Sequence, residues 1–269
     1  MKKLALLLSL IHCTLYFCAA QTSKCQQADG AGNVDWAILY KPPGQKRGSI
    51  LIPPGAAWVV YPADLENVGV KTKSNSKGVV ILDARDATDE AAWIVHTVPG
   101  YPIPKVAYTF PASEYANGHL LICLTIAESQ IEPIAAALLM TSPFIYYNDV
   151  PDAEVNTRPS LKKVLSGETA LKPPFSTKQN IKTQANPSVP VQIFSKSERS
   201  KYEIYQKLIS RQSKKTIKVW SRRDKKLKAN FDKPYAISQK YEPAVAVCIQ
   251  LANIFARFNT IAAKVDSCS

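Results

Sequence analysis

Two histidines, His96 and His119, carry most of the acid–base chemistry open to this chain once its first twenty residues are set aside. An imidazole can take up or deliver a proton near neutral pH and can form a covalent intermediate. His96 lies in the apolar run Trp93-Ile94-Val95-His96, where a hydrogen-bonded core histidine is expected more often than a catalytic one. His119 stands at a loop-to-strand junction, and no particular chemistry is expected of it. Asp83, Asp86, Asp89 and Glu90 bunch in one short run. Hard-cation sites need converging oxygens, and this run lacks a glycine-bearing loop, so it reads as a solvated turn. Cys25, Cys123, Cys248 and Cys268 show no C-x-x-C spacing, and with so few histidines a His/Cys zinc site is not expected. The expectation is chemistry without metal or cofactor. Four cysteines allow three pairings, and spacing alone does not choose among them.

The charge is concentrated. Residues 194–228 hold thirteen basic residues against three acidic ones, most of the formal net charge of +13. Lys207, Arg211, Lys214 and Lys218 recur at helical spacing and would share a side of a continuing helix. Arg222, Arg223, Lys225 and Lys226 follow a short β-like run and would sit in a loop at its end. Such a stripe attracts polyanions with an affinity that falls as salt rises. The alternative is a solvated surface, which charge runs commonly form.

Several elements must position these groups. Alternation over 34–40 predicts a strand, and continuous apolar runs predict strands over 78–83, 93–98 and 120–126. Pro133 can open a helix over 134–140, since its missing N–H costs nothing at the first helical position. Residues 150–190 are polar and broken by Pro151, Pro159, Pro173, Pro174 and Pro187, and read as a linker or a long surface excursion. Beyond them, spacing predicts an amphipathic helix over 201–210, a strand over 216–220 and a helix over 247–262. Interleaved strands and helices give an α/β or α+β class. A composition of 46% hydrophobic residues excludes wholesale disorder.

Residues 1–20 read as a signal peptide. Lys2 and Lys3 precede an apolar run from Leu4, and Cys18-Ala19-Ala20 offers a cleavage site before Gln21. The expected product is secreted and extracellular, with no membrane partner, in a compartment that favours disulfides.

Against this background several fragments, in order, resemble the deoxyribonuclease II family. Cys25 followed by Val34-Asp35-Trp36 and Tyr40-Lys41 is similar to its "C…VDW…YK" stretch. Ser76-Lys77-Gly78-Val79-Val80-Ile81-Leu82-Asp83 resembles "HTKGVLLLD", and Trp93-Ile94-Val95-His96-Thr97-Val98-Pro99 resembles "WLVHSVP". Cys248-Ile249-Gln250-Leu251 through Cys268 resembles the "LCAQL…C" terminus. The resemblance implies a phospholipase D-like fold, with two pseudo-symmetric α/β halves packed as one unit. Here they would occupy approximately 21–155 and 156–269, the second half shortened. It also implies hydrolysis of DNA phosphodiesters without metal. Each half would supply one H-x-K motif: one His attacks phosphorus, the other protonates the leaving oxygen, and two Lys hold the phosphate charge.

The chain departs at that point. The first motif's histidine position is Asn75, giving Asn75-Ser76-Lys77, and an amide cannot carry the proton or form the phosphoenzyme. Lys77 reads equally well as a relic phosphate ligand or as an exposed lysine at a strand entry. The second motif, expected from Asp232 where the family reads "DHSKW", contains no histidine. The expectation is a family member without catalysis that binds DNA or another polyanion through Lys214, Lys218, Arg222, Arg223, Lys225 and Lys226. The rival is an active acid endonuclease with rearranged groups. The resemblance further implies a Cys25–Cys123 disulfide. If 247–263 is one helix, Cys248 and Cys268 stand too far apart to pair, which leaves an intermolecular bridge and a homodimer open.

Overall fold

The computed structural model describes residues 23–27, 32–44, 57–61, 76–84, 88–103, 110–168, 170–200, 204–213 and 247–251. Short β1 (Cys25–Gln26) and β2 (Asn33–Val34) pair with each other and lead into β3 (Trp36–Lys41). The strands β4 (Ala57–Tyr61), β5 (Gly78–Leu82), β6 (Ala91–His96), β7 (His119–Ile126) and β8 (Tyr147–Asn148) join β3 in a six-stranded antiparallel sheet of order β3-β7-β6-β5-β4-β8. All four strands expected in this half are present, and β5 is buried along its whole length, as its continuous apolar run implies. Alternate residues of β5 serve different clusters. Val80 and Leu82 join Ala91, Trp93, Leu124 and Ile126 on one side, while Val79 and Ile81 join Ala92, Ile94 and Cys25 on the other.

Helix α1 (Ile131–Thr141) begins earlier than the proline-opened helix expected from sequence. Pro133 still falls in the first turn, where backbone N–H groups have no intrahelical partner, so the ring breaks no bond. Ile131, Ile134, Ala135, Leu138 and Thr141 form its buried stripe.

The stretch 150–190 is not a linker. It folds as α2 (Asp152–Asn156), α3 (Pro159–Leu165) and β9 (Ser176–Lys182). Pro151 is the residue before α2 and Pro159 the first residue of α3, so these prolines start helices. Leu161, Val164 and Ile181 enter the same apolar cluster as Val80 and Trp93. Strand β10 (Pro190–Lys196) pairs with β9 on one side and β11 (Val247–Leu251) on the other, all antiparallel. A single buried cluster therefore runs from β5–β7 through α1 and α3 to Ile193 of β10. The class is α+β.

Two further expectations change. Residues 247–251 are a strand, in register from Val191↔Leu251 to Ser195↔Val247, and not the start of a helix. Residues 252–269 lie outside the described residues, as does the strand expected over 216–220. The expected helix around 201–210 is described from Ile204 as a π-helical stretch, Tyr205–Ser210, continuing as α over Arg211–Ser213. Ile204, Leu208 and Ile209 bury against Phe194. The wider i→i+5 turn suits the Ile204/Ile209 spacing. Among the described residues no helix is long and apolar enough to cross a membrane.

Candidate functional site

Lys77, His96 and His119 come together where β5 begins, β6 ends and β7 begins. The antiparallel register does this: Gly78 pairs with Val95, and His96 with Leu121. The His96 amide donates to the Lys77 carbonyl at 3.1 Å. Lys77 is buried rather than an exposed strand-entry residue, and so are both histidines.

His96 is 4% exposed. Its Nδ1 accepts the Val98 N–H at 3.2 Å, which places the proton of the neutral ring on Nε2. Nε2 is buried with no hydrogen-bond partner among the described residues. Tyr101 meets the ring edge-on at 5.7 Å. Burial, and then the neighbouring charges of Lys77 and His119, push this imidazole down to about 3. His96 is therefore a neutral donor at any ordinary pH, in the core role its sequence context suggests.

His119 is more engaged than a bare loop junction implies. Nδ1 lies 3.4 Å from Thr97 Oγ1, and that oxygen also accepts the Leu120 amide at 3.1 Å. Nε2 lies 3.0 Å from Glu114 Oε2, at ion-pair distance. Glu114 belongs to a short 3₁₀ turn, Ala112–Tyr115, so sequence gave no sign that it would face His119.

A second lysine escaped the sequence reading. Lys41, opposite His119 in the ladder, is 1% exposed. Its ammonium donates to the carbonyls of Pro42 at 3.1 Å, Tyr115 at 3.2 Å and Asn117 at 2.6 Å, and lies 5.6 Å from the Phe110 ring centre. Three carbonyls use all three ammonium protons, so Lys41 fastens the 3₁₀ turn to β3 and is not offered to a ligand. The available signal was strand alternation, which puts Lys41 on the same side as Ala37 and Leu39.

The acidic run diverges. Asp83 accepts from the Thr88 hydroxyl at 3.1 Å, Asp89 from the Glu128 amide at 2.8 Å, and Glu90 pairs with Lys24 at 2.6 Å. Asp86 lies outside the described residues. Trp93 and Tyr101 are core residues; Trp36 is half-buried and Tyr40 exposed.

Of the basic segment, Lys196 is buried with Nζ 3.3 Å from Ser200 Oγ, and Arg199 donates to the Leu171 carbonyl at 3.3 Å. These two charges serve the fold. Asn75, Asp232, Lys214, Lys218, Arg222, Arg223, Lys225 and Lys226 lie outside the described residues. The expected disulfide is present: Cys25 and Cys123 are bonded, with Cα atoms 5.9 Å apart, tying β1 to β7.

The family model for deoxyribonuclease II matches residues 55–242, more than half of the chain. The chain belongs to the deoxyribonuclease II family. The matched span contains Lys77, His96, His119 and the whole basic segment. Similar relatives include plancitoxin-1 of Acanthaster planci, 29% identical over 112 residues, covering 41% of this chain and 30% of that protein. Deoxyribonuclease-2-alpha of Rattus norvegicus is 27% identical over 160 residues, covering 55% and 43%. Deoxyribonuclease-2 of Caenorhabditis elegans is 26% identical over 150 residues, covering 55% and 38%. The chain thus spans less than half the length of these relatives.

Proposed function

We propose that this deoxyribonuclease II family member is a secreted protein that binds DNA or a similar polyanion and does not cleave it. One observation carries the reading: both histidines left to stand in for an imidazole at Asn75 are buried, each with its Nδ1 against a neighbouring group. His96 is held neutral, with Nδ1 taken by the Val98 amide. His119 is closed in between Thr97 and Glu114. Metal-independent phosphodiester hydrolysis needs one nucleophile and one proton donor at the same phosphorus, and loss of either costs orders of magnitude. Lys77 remains where the family's first motif places its lysine. The names of the relatives make DNA the natural polymer to bind. The basic segment supplies the sequence-independent attraction, through backbone phosphates rather than base edges. Secretion is supported by the N-terminal pattern and by the Cys25–Cys123 disulfide, which suits an oxidising compartment. A phospholipase D-like arrangement of two halves is supported by the six-stranded sheet and the three-stranded β9–β10–β11 sheet sharing one apolar cluster.

The test is direct. Duplex DNA binding should be independent of sequence and weaken with log salt at a slope of roughly −0.9 per neutralised phosphate. Replacing Arg222, Arg223, Lys225 and Lys226 by Ser should flatten that slope by up to ~3–4 units. Supercoiled plasmid should stay intact at acid pH with chelator. An unchanged salt slope in the quadruple variant would make the basic run a solvated surface. Chelator-resistant nicking by the pure protein would establish the rival, a metal-independent acid endodeoxyribonuclease.

A further inference from the structure

We propose that Asn117-Gly118 is a modification site whose reaction the fold itself promotes. Asn117 loses its side-chain amide as ammonia, through attack by the Gly118 backbone nitrogen, and becomes an aspartyl or isoaspartyl residue. The pair lies between the 3₁₀ turn Ala112–Tyr115 and β7, and both residues are exposed. Asn117 is the only asparagine of the chain followed by glycine. Glycine has no Cβ to shield its nitrogen from the preceding side chain. The Gly118 amide makes no hydrogen bond among the described residues, so none has to break before it attacks.

Two further demands of the reaction are met by groups from outside the pair. The nitrogen attacks as its anion, and much of that anion's charge rests on the Asn117 carbonyl oxygen. Lys41 donates to this oxygen at 2.6 Å from a residue only 1% exposed. An ammonium fixed there in advance, out of water, stabilises the charge as it forms. The leaving nitrogen must also take up a proton. Asn117 Nδ2 donates to Glu114 Oε2 at 3.0 Å, and the same oxygen lies 3.0 Å from His119 Nε2. Carboxylate and imidazole together can hand a proton to Nδ2. Lys41 holds this arrangement still, because it also binds the Tyr115 carbonyl at the end of the turn that carries Glu114.

The Gly118 N–H proton passes to solvent, and a bond forms from that nitrogen to Asn117 Cγ. The Cγ–Nδ2 bond breaks as Nδ2 is protonated, and ammonia leaves a succinimide ring. Water then adds to one of the two ring carbonyls. Opening at Cγ gives the aspartyl product, and opening at the main-chain carbonyl gives the isoaspartyl one. One water enters, one ammonia leaves, and no atom changes oxidation state. Either product dismantles the arrangement that made it. An aspartyl carboxylate faces Glu114 where an amide N–H donated, and an isoaspartyl link carries the carbonyl away from Lys41. The tie between the 3₁₀ turn and β3, on which His119 also depends for its Glu114 contact, is weakened in both.

The test is a time course on the full chain, folded in dilute buffer and unfolded in guanidinium chloride at the same pH and temperature. Peptide mapping by mass spectrometry follows the mass gained as NH2 becomes OH, and chromatography separates the aspartyl and isoaspartyl peptides. Asn117 should convert at least about tenfold faster in the folded protein than in the unfolded one, since only folding supplies the ammonium and the proton. Glu114→Gln keeps an acceptor for Nδ2 but carries no proton, and should slow the folded rate toward the unfolded one while leaving the rate in denaturant unchanged. Lys41→Met should do the same. Lys41 is buried, so that variant is read only where thermal unfolding shows it folded, and Glu114→Gln decides on its own where it is not. An Asn117 that stays intact in the folded protein overturns the proposal. So does one that converts no faster folded than unfolded, or equally fast in Glu114→Gln, because the rate then belongs to the Asn-Gly sequence and not to the site.

Discussion

His96 has a consequence for stability that can be signed. In the unfolded chain it takes up its proton near 6.5; in the folded chain it does so only near 3. Between those values the unfolded state binds the extra proton. The stabilisation tied to a neutral buried ring is thus complete above pH 6.5 and is lost as pH falls toward 3. At about pH 5 the loss is on the order of 2 kcal/mol. His96→Asn keeps a side-chain oxygen to accept the Val98 amide but cannot titrate. Urea unfolding across this window should show the wild type losing stability with acid and the variant losing less by roughly that amount. Superimposable pH profiles would mean that the ring is not held neutral. The same burial that makes His96 a good core residue makes it a poor acid catalyst.

At the scale of elements, α1 and α3 are joined by one carboxylate. Glu132 in the first turn of α1 accepts the amide of Ser160 at 2.8 and 3.1 Å and that of Leu161 at 3.4 Å. Pro159, first residue of α3, has no amide to offer, so Glu132 covers the next two orphan donors. Arg158 strengthens the join by holding Glu128 and Glu154 together. A helix as short as α3 is not stable in isolation and depends on such contacts and on Leu161 and Val164 in the core. Glu132→Ala should cost about 1–2 kcal/mol, read as a lower denaturant midpoint with an unchanged m-value. A midpoint equal to wild type would show that water replaces the carboxylate without loss.

For the molecule as a whole, the Cys25–Cys123 bridge spans 98 residues of sequence and holds the N-terminal pair β1–β2 on the six-stranded sheet. In the chain-entropy model a loop of this length contributes about 4–5 kcal/mol, nearly all by restricting the unfolded chain. Cys25→Ser with Cys123→Ser should therefore lower the unfolding temperature markedly while leaving β3 to β7 folded. The hydrogen bond from the Cys25 amide to Thr125 Oγ1 at 3.0 Å is too little to replace it. Equal unfolding temperatures for the two proteins would locate the stability elsewhere. The apolar cluster from Val80 to Ile193 is the other long-range tie, and it holds the three-stranded sheet to the six-stranded one.

Local pattern was enough where one periodicity dominates. The continuous apolar runs of β5, β6 and β7 can only be buried strands at that length, and they carried Lys77, His96 and His119 to one place. That the chain holds no H-x-K triplet was equally legible, because a residue type needs no fold to be absent. Tertiary structure decided the rest. Residues 247–251 satisfy two periods at once: Val247 and Leu251 fit a helix turn, while Val247, Ile249 and Leu251 fit a strand. Pairing with β10, more than fifty residues earlier, selects the strand. In β9 only Ile181 is fully buried among polar neighbours, so nothing nearby marks it as a core strand until β10 and α1 lie against it. Lys41, Glu114 and Glu132 look like surface charges in the sequence. Their roles depend on carbonyls, an imidazole and amides that arrive from distant segments, and a sequence read locally contains no term for a partner that only folding brings near.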